Sequence, residues 1–97
     1  MKPSEKKLER QENSARAAEV NKTYDGAPEE CGNCSAPLAS FQYMVDGDLG
    51  GTGGWGNWCP DCWNVPGSMI AWGRGQLYKR TADGQWLQVA GFAPERP

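Results

Sequence analysis

The chain has 97 residues, 38% of them hydrophobic, with Gly 13, Pro 7 and a formal net charge of −2. That length suits one small domain, and so polar a composition calls for a staple from disulfides, metal or a partner. No run is apolar for the roughly 20 residues a membrane helix needs, and the absence of His removes histidine-based triads and histidine metal sites.

Residues 1–22 carry six basic side chains (Lys2, Lys6, Lys7, Arg10, Arg16, Lys22) and four acidic ones (Glu5, Glu9, Glu12, Glu19). The charges resemble the start of a secretion signal, but no apolar stretch follows them. The expected setting is therefore a reducing cytoplasm, with no membrane. Residues 1–27 read as a charged arm and linker, helical or disordered. Ser4 is placed to cap a helix, with Pro3 just outside and Glu5 near the positive end of the helix dipole. Glu12 and Arg16 form an i,i+4 pair. The apolar stripe of Leu8, Ala15, Ala18 and Val20 is thin, so an isolated helix is marginal. The arm is expected to fray in solvent or to order on a partner. "TYDGAPEE", residues 23–30, is a turn-rich linker.

Residues 28–93 read as the folded domain. Phe41 to Val45 has the aromatic and branched residues of a strand. "DGDLGGTGGWGN" is too rich in glycine for a strand interior and reads as a loop, either a contact tip or a plain connector. Its "GTGGWG" matches G-x-G-x-x-G literally, but it runs into "NWCPDC" instead of opening a helix, so the match is chance. "SMIAWG" follows as a strand. Then "QLYKRTADGQWLQVAGF" reads as a β-hairpin turning at Ala82-Asp83-Gly84, with Leu77 and Lys79 on one face and Tyr78 and Arg80 on the other. Residues 94–97 are a tail.

All four cysteines occur as C-x-x-C: Cys31 and Cys34 in "CGNC", Cys59 and Cys62 in "CPDC". Such a turn points two thiolates at one ion while its backbone amides point at the sulfurs. Two turns face to face supply the tetrahedral set that Zn²⁺ accepts, with Zn–S of about 2.3 Å. Gly32 and Asn33 suit left-handed positions in the first turn, and Pro60 fixes φ in the second. The 24 residues between Cys34 and Cys59 exceed the roughly 15–20 of most four-cysteine zinc sites. The glycine-rich loop accounts for the excess at little entropic cost. A thioredoxin-like redox pair needs a helix start in a βαβ unit and leaves the other pair unexplained. A disulfide framework needs an oxidising compartment. Four thiolates also suit iron, so Zn²⁺ is the expected ion and Fe the alternative.

Over about residues 29–73 the chain resembles the zinc-ribbon and rubredoxin-like group, in which two "CPxCG"-type knuckles on β-hairpins clamp one metal. "CPDC" matches that knuckle closely and "CGNC" less so. Ser35 and Trp63 stand where the group usually has glycine. The resemblance implies a small β-rich, metal-stapled fold and one structural metal held by Cys31, Cys34, Cys59 and Cys62. It does not imply a task, because the group is functionally diverse.

Charge points to the task. Residues 23–73 contain no Lys or Arg and hold Asp25, Glu29, Glu30, Asp46, Asp48 and Asp61; a zinc tetrathiolate adds two further negative charges. Of the five tryptophans, Trp58, Trp72 and Trp86 are expected inside, and Trp55 and Trp63 outside as interface anchors. The expected function is non-enzymatic: an adapter, inhibitor or modulator that binds a protein, in one version part of nucleic-acid machinery. The expected surface is acidic and Trp-bearing, made of Trp55, Trp63, Asp46, Asp48 and Asp61. The alternative is direct nucleic-acid binding through Arg74, Tyr78, Lys79, Arg80 and the arm, since many zinc ribbons bind nucleic acid. A rubredoxin-like iron electron carrier is a weaker alternative.

Overall fold

The aromatic and branched run that starts at Phe41 becomes the second strand across a four-stranded antiparallel sheet. The computed structural model describes residues 2–24, 26, 28–49, 54–64 and 68–94. The centre of the glycine-rich loop, Asp25 and Ala27 of the linker, and the last three residues of the tail lie outside them. The strands are β1 (Tyr43–Asp48), β2 (Trp55–Trp58), β3 (Gly75–Arg80) and β4 (Trp86–Ala90), in the order β2-β1-β3-β4. Among the described residues three short α-helices accompany them, α1 (Pro3–Glu9), α2 (Ser14–Val20) and α3 (Pro60–Trp63), with one 3-10 turn at Leu38–Ser40.

The register runs from Val45↔Trp58 to Asp48↔Trp55 between β1 and β2, and from Tyr43↔Lys79 to Gly47↔Gly75 between β1 and β3. Residues paired across strands share a face. Tyr43, Val45, Trp58 and Leu77 therefore lie on one side of the sheet. Met44, Asp46, Asp48, Trp55, Asn57 and Tyr78 lie on the other. β3 and β4 form a hairpin with a bulge at Leu77/Tyr78. The bulge interrupts simple alternation, and both residues are buried.

The N-terminal segment is helical and packs onto the rest of the structure. α1 and α3 pack together and against β1, and α2 packs against β4. Leu8 and Ala17 enter the core. The bonds that hold this segment are mostly polar, which is why its thin apolar stripe undersells it. Asn13 N–H donates to Val89 O (2.6 Å), Gln88 N–H to Lys22 O (2.8 Å) and Tyr24 N–H to Trp86 O (2.9 Å). Asn13 and residues 22–24 thus pair with the outer edge of β4, an edge that would otherwise recruit other chains. Glu5 is only 6% exposed; its carboxylate accepts from Gln42 N–H (2.7 Å) and Lys2 N–H (3.4 Å). Lys2, not Ser4, is the helix N-cap, and Pro3 takes the first helical position, where its missing N–H costs nothing.

Three other expectations are corrected. The strands extend into the glycine-rich stretch, because Gly47 and Gly56 make room for indole rings. A Cβ at Gly47 would lie 2.9 Å from Trp63 Cη2, and one at Gly56 3.0 Å from Trp58 Cζ2. "SMIAWG" is not a strand: it carries one isolated bridge, Ala71↔Gly75, and a tight turn in which Gly73 takes φ +81. Trp72 sits in that turn and is 50% exposed instead of buried, while Trp63, expected outside, is 4% exposed.

Candidate metal centre

The first knuckle is a turn in which Cys31 N–H donates to Ala36 O and Ser35 N–H to Cys31 O, both at 2.9 Å. Gly32 N–H donates to Asn57 O (2.9 Å), which fastens the knuckle to the outer edge of β2. The left-handed residue is Ser35, at φ +62, not Gly32 or Asn33. Ser35 stands where the zinc-ribbon group usually has glycine, and the backbone there keeps the conformation glycine favours. Gly32 sits close to the core instead: a Cβ would lie 3.0 Å from Trp58 Cζ3, a contact the ring would have to ease.

The second knuckle is α3 itself. Cys59 is its N-cap and Pro60 its first residue. Cys62 and Trp63 N–H both return to Cys59 O, at 3.1 and 3.0 Å. The chain therefore continues as a helical turn through Trp63, and no glycine is called for. This places the Trp63 ring over the cross-strand pair Gly47↔Gly75.

The two turns bring all four Sγ atoms within 4.8 Å of one another. Cys34 Sγ and Cys59 Sγ are 3.7 Å apart. A tetrahedron with Zn–S bonds of about 2.3 Å has S···S edges of about 3.8 Å, so the donor set fits one such ion. Amides point at the sulfurs: Cys31 Sγ accepts from Asn33 N–H (3.5 Å) and Cys59 N–H (3.3 Å). Burial alone would raise the Cys31 pKa, but N–H groups of Cys34, Cys59 and Asn33 bring it down to about 7. Burial pushes the Cys59 and Cys62 thiols up. Four thiolates this close would repel one another, and a cation among them would offset that repulsion. Four cysteines that can hold a metal ion, on a small β-rich domain, are consistent with a zinc-ribbon-like site. One contributor escaped sequence reasoning: Asn33 Nδ2 donates to Cys62 Sγ (3.3 Å), tying the knuckles together. An amide side chain inside a C-x-x-C is the signal that pointed there.

Of the five residues expected to meet a partner, three come together. Trp55 is 51% exposed, and its Nε1–H donates to Asp46 Oδ1 (2.8 Å). Asp48 is its register partner on the same face. Burial raises the Asp46 carboxyl above its ordinary range, against the pull of the Trp55 N–H and Lys22. Asp61 is elsewhere, on the second knuckle, where it accepts from Ser4 Oγ (2.7 Å) and Lys2 Nζ (3.2 Å). The bonds from Ser4 and Lys2 lower the Asp61 pKa, and together with Lys7 Nζ to Asn64 Oδ1 (2.8 Å) they hold α1 to α3. Trp63 is core.

The residues of the nucleic-acid alternative do not converge. Tyr78 is buried with Tyr24 edge-on at 5.4 Å. Lys79 Nζ lies 3.6 Å from Glu12 Oε1. Arg80 is 5.6 Å from the Trp86 ring. Arg74 is at the opposite end of β3, where its carbonyl accepts from Asp48 N–H. Among the described residues no helix is long and apolar enough to cross a membrane. Compared with known proteins, the chain matches no family model, no curated protein and no solved structure.

Proposed function

We propose that the four cysteines hold one structural Zn²⁺ and that the domain it staples is a non-enzymatic binding module for a basic protein surface. Bound zinc supplies cross-linking of two distant turns. The residues of this chain supply four thiolates and the N–H groups that soften their charge. Four protein ligands leave no place for the water that a catalytic zinc keeps, which supports a structural role.

The observation that carries the binding reading is the mounting of Trp55. Half the residue's surface is exposed, its N–H donates to Asp46, and Asp48 lies opposite. A rigid aromatic beside carboxylates suits a positively charged partner: the ring provides apolar contact and a cation-attracting face, and the acids provide steering. The direct nucleic-acid reading draws less support, because Tyr78 is buried and Lys79 faces Glu12.

The test is affinity capture from the native host with wild-type, Trp55→Ala and Asp48→Asn chains, with and without nuclease. Capture that survives nuclease, weakens with salt and is lost in both variants supports the reading. Capture abolished by nuclease favours the nucleic-acid alternative. Elemental analysis of the same preparation checks the ion: one equivalent of zinc in colourless protein is expected, whereas red protein with visible absorption means iron.

A further inference from the structure

The four sulfurs are not equally protected. Cys31 is buried, and its sulfur accepts from the N–H groups of Asn33 (3.5 Å) and Cys59 (3.3 Å). Cys59 is buried, and the N–H of Cys62 goes to its carbonyl oxygen (3.1 Å). Cys62 is half-buried and receives Asn33 Nδ2 at 3.3 Å. Cys34 is exposed. Among the described residues no N–H is directed at its sulfur, whose neighbour is Cys59 Sγ at 3.7 Å. An N–H···S bond withdraws charge from a thiolate, and burial keeps reagents away.

We propose that Cys34 is a modification site: the ligand sulfur at which an alkylating electrophile or hydrogen peroxide reacts first. This rests on reading the cluster as a metal tetrathiolate. With peroxide, the Cys34 thiolate attacks one oxygen and the O–O bond breaks, leaving a sulfenic acid and hydroxide. The Cys59 thiolate then attacks the Cys34 sulfur, the S–O bond breaks, and a second hydroxide leaves as the disulfide forms. The two thiolates lose two electrons, and the peroxide gains them. The product joins the two knuckles covalently and leaves the ion only two of its four ligands, so the ion is released.

The experiment uses the full chain, with its zinc content measured first. Substoichiometric iodoacetamide followed by peptide mapping is expected to place label on Cys34 at least about tenfold faster than on any other cysteine. Hydrogen peroxide is expected to give the Cys34–Cys59 disulfide and one released zinc per disulfide, read with a chromogenic chelator. Asn33→Ala should leave Cys34 first and raise Cys62 labelling severalfold. Equal labelling of the four thiols in zinc-loaded protein, Cys62 ahead of Cys34, or an unchanged Cys62 rate in Asn33→Ala overturns the proposal while leaving the metal reading intact. A metal content near zero overturns both.

Discussion

The indole of Trp63 lies against Gly75 so closely that a Cβ added there would sit 2.6 Å from its Cζ2 and 2.5 Å from the carbonyl oxygen of Met69. Helix α3 carries both a metal-ligand pair and this ring, so the fit of Trp63 against the sheet sets where the second knuckle stands. Gly75→Ala is expected to destabilise the fold by about 1–3 kcal/mol, the usual cost of overpacking, because carbonyl and ring cannot both retreat. Denaturant titration of the metal-loaded chain measures it, and an unshifted midpoint would show that Trp63 is not seated as described.

Ser35 makes the opposite prediction. A non-glycine residue at φ +62 carries steric cost in the left-handed region, about 1 kcal/mol. Ser35→Gly relieves that cost, while glycine's greater freedom in the unfolded chain takes part of the gain back. A net gain of about 0.5 kcal/mol is expected, with metal stoichiometry unchanged. A clear loss of stability would mean that the serine hydroxyl makes a contact that outweighs the backbone strain.

Leu8 tests whether the N-terminal helices belong to the fold. It is 4% exposed in the shared core, so Leu8→Ala should cost about 2–4 kcal/mol. On a frayed arm the same change would stay within about 0.5 kcal/mol. Thermal unfolding distinguishes the two outcomes directly.

What could be read from the sequence was what local chemistry decides. Two C-x-x-C turns declare their purpose through spacing, and the four sulfurs do converge. What could not be read depends on distant partners. Trp63 looks like an exposed residue just past a knuckle until Gly47 and Gly75 are known to pair and leave a slot for it. Trp72 looks like core until the turn at Gly73 carries it outward. The N-terminal segment has too few apolar residues to announce itself, because backbone bonds to the edge of β4 and a buried Glu5 hold it, and neither leaves a periodic signature. Asp61 looks like part of an acidic surface, yet it is tied to Ser4 and Lys2 some 57 and 59 residues away.

Removal of the ion should unfold the domain. Structural zinc in small domains contributes on the order of 10–16 kcal/mol of apparent binding free energy, more than the stability of a typical small fold. A strong chelator, or Cys59→Ser, is therefore expected to collapse the tertiary signal of the buried tryptophans. Adding zinc back restores it after the chelator is removed, but not in the variant. Native-like unfolding by metal-free protein would show that the sheet and helices stand without the staple.

Asp46 links stability to binding, with opposite signs. Burial raises its carboxyl pKa in the fold, so the folded chain holds the proton more tightly than the unfolded chain, whose value is about 3.9. The stabilising contribution is therefore fully present below the unfolded value and is lost as pH rises through the folded one. Asparagine cannot ionise, and its Oδ1 can still accept from Trp55 Nε1–H. Asp46→Asn should thus match the wild type near pH 3, gain on it as the pH is raised, and hold a constant advantage once the carboxyl is fully ionised. A difference that runs the other way would mean the fold prefers the carboxylate. Partner binding at neutral pH should weaken in the same variant, because a charge beside Trp55 is gone. A more stable but weaker-binding protein is the combination that separates an interface charge from a structural one.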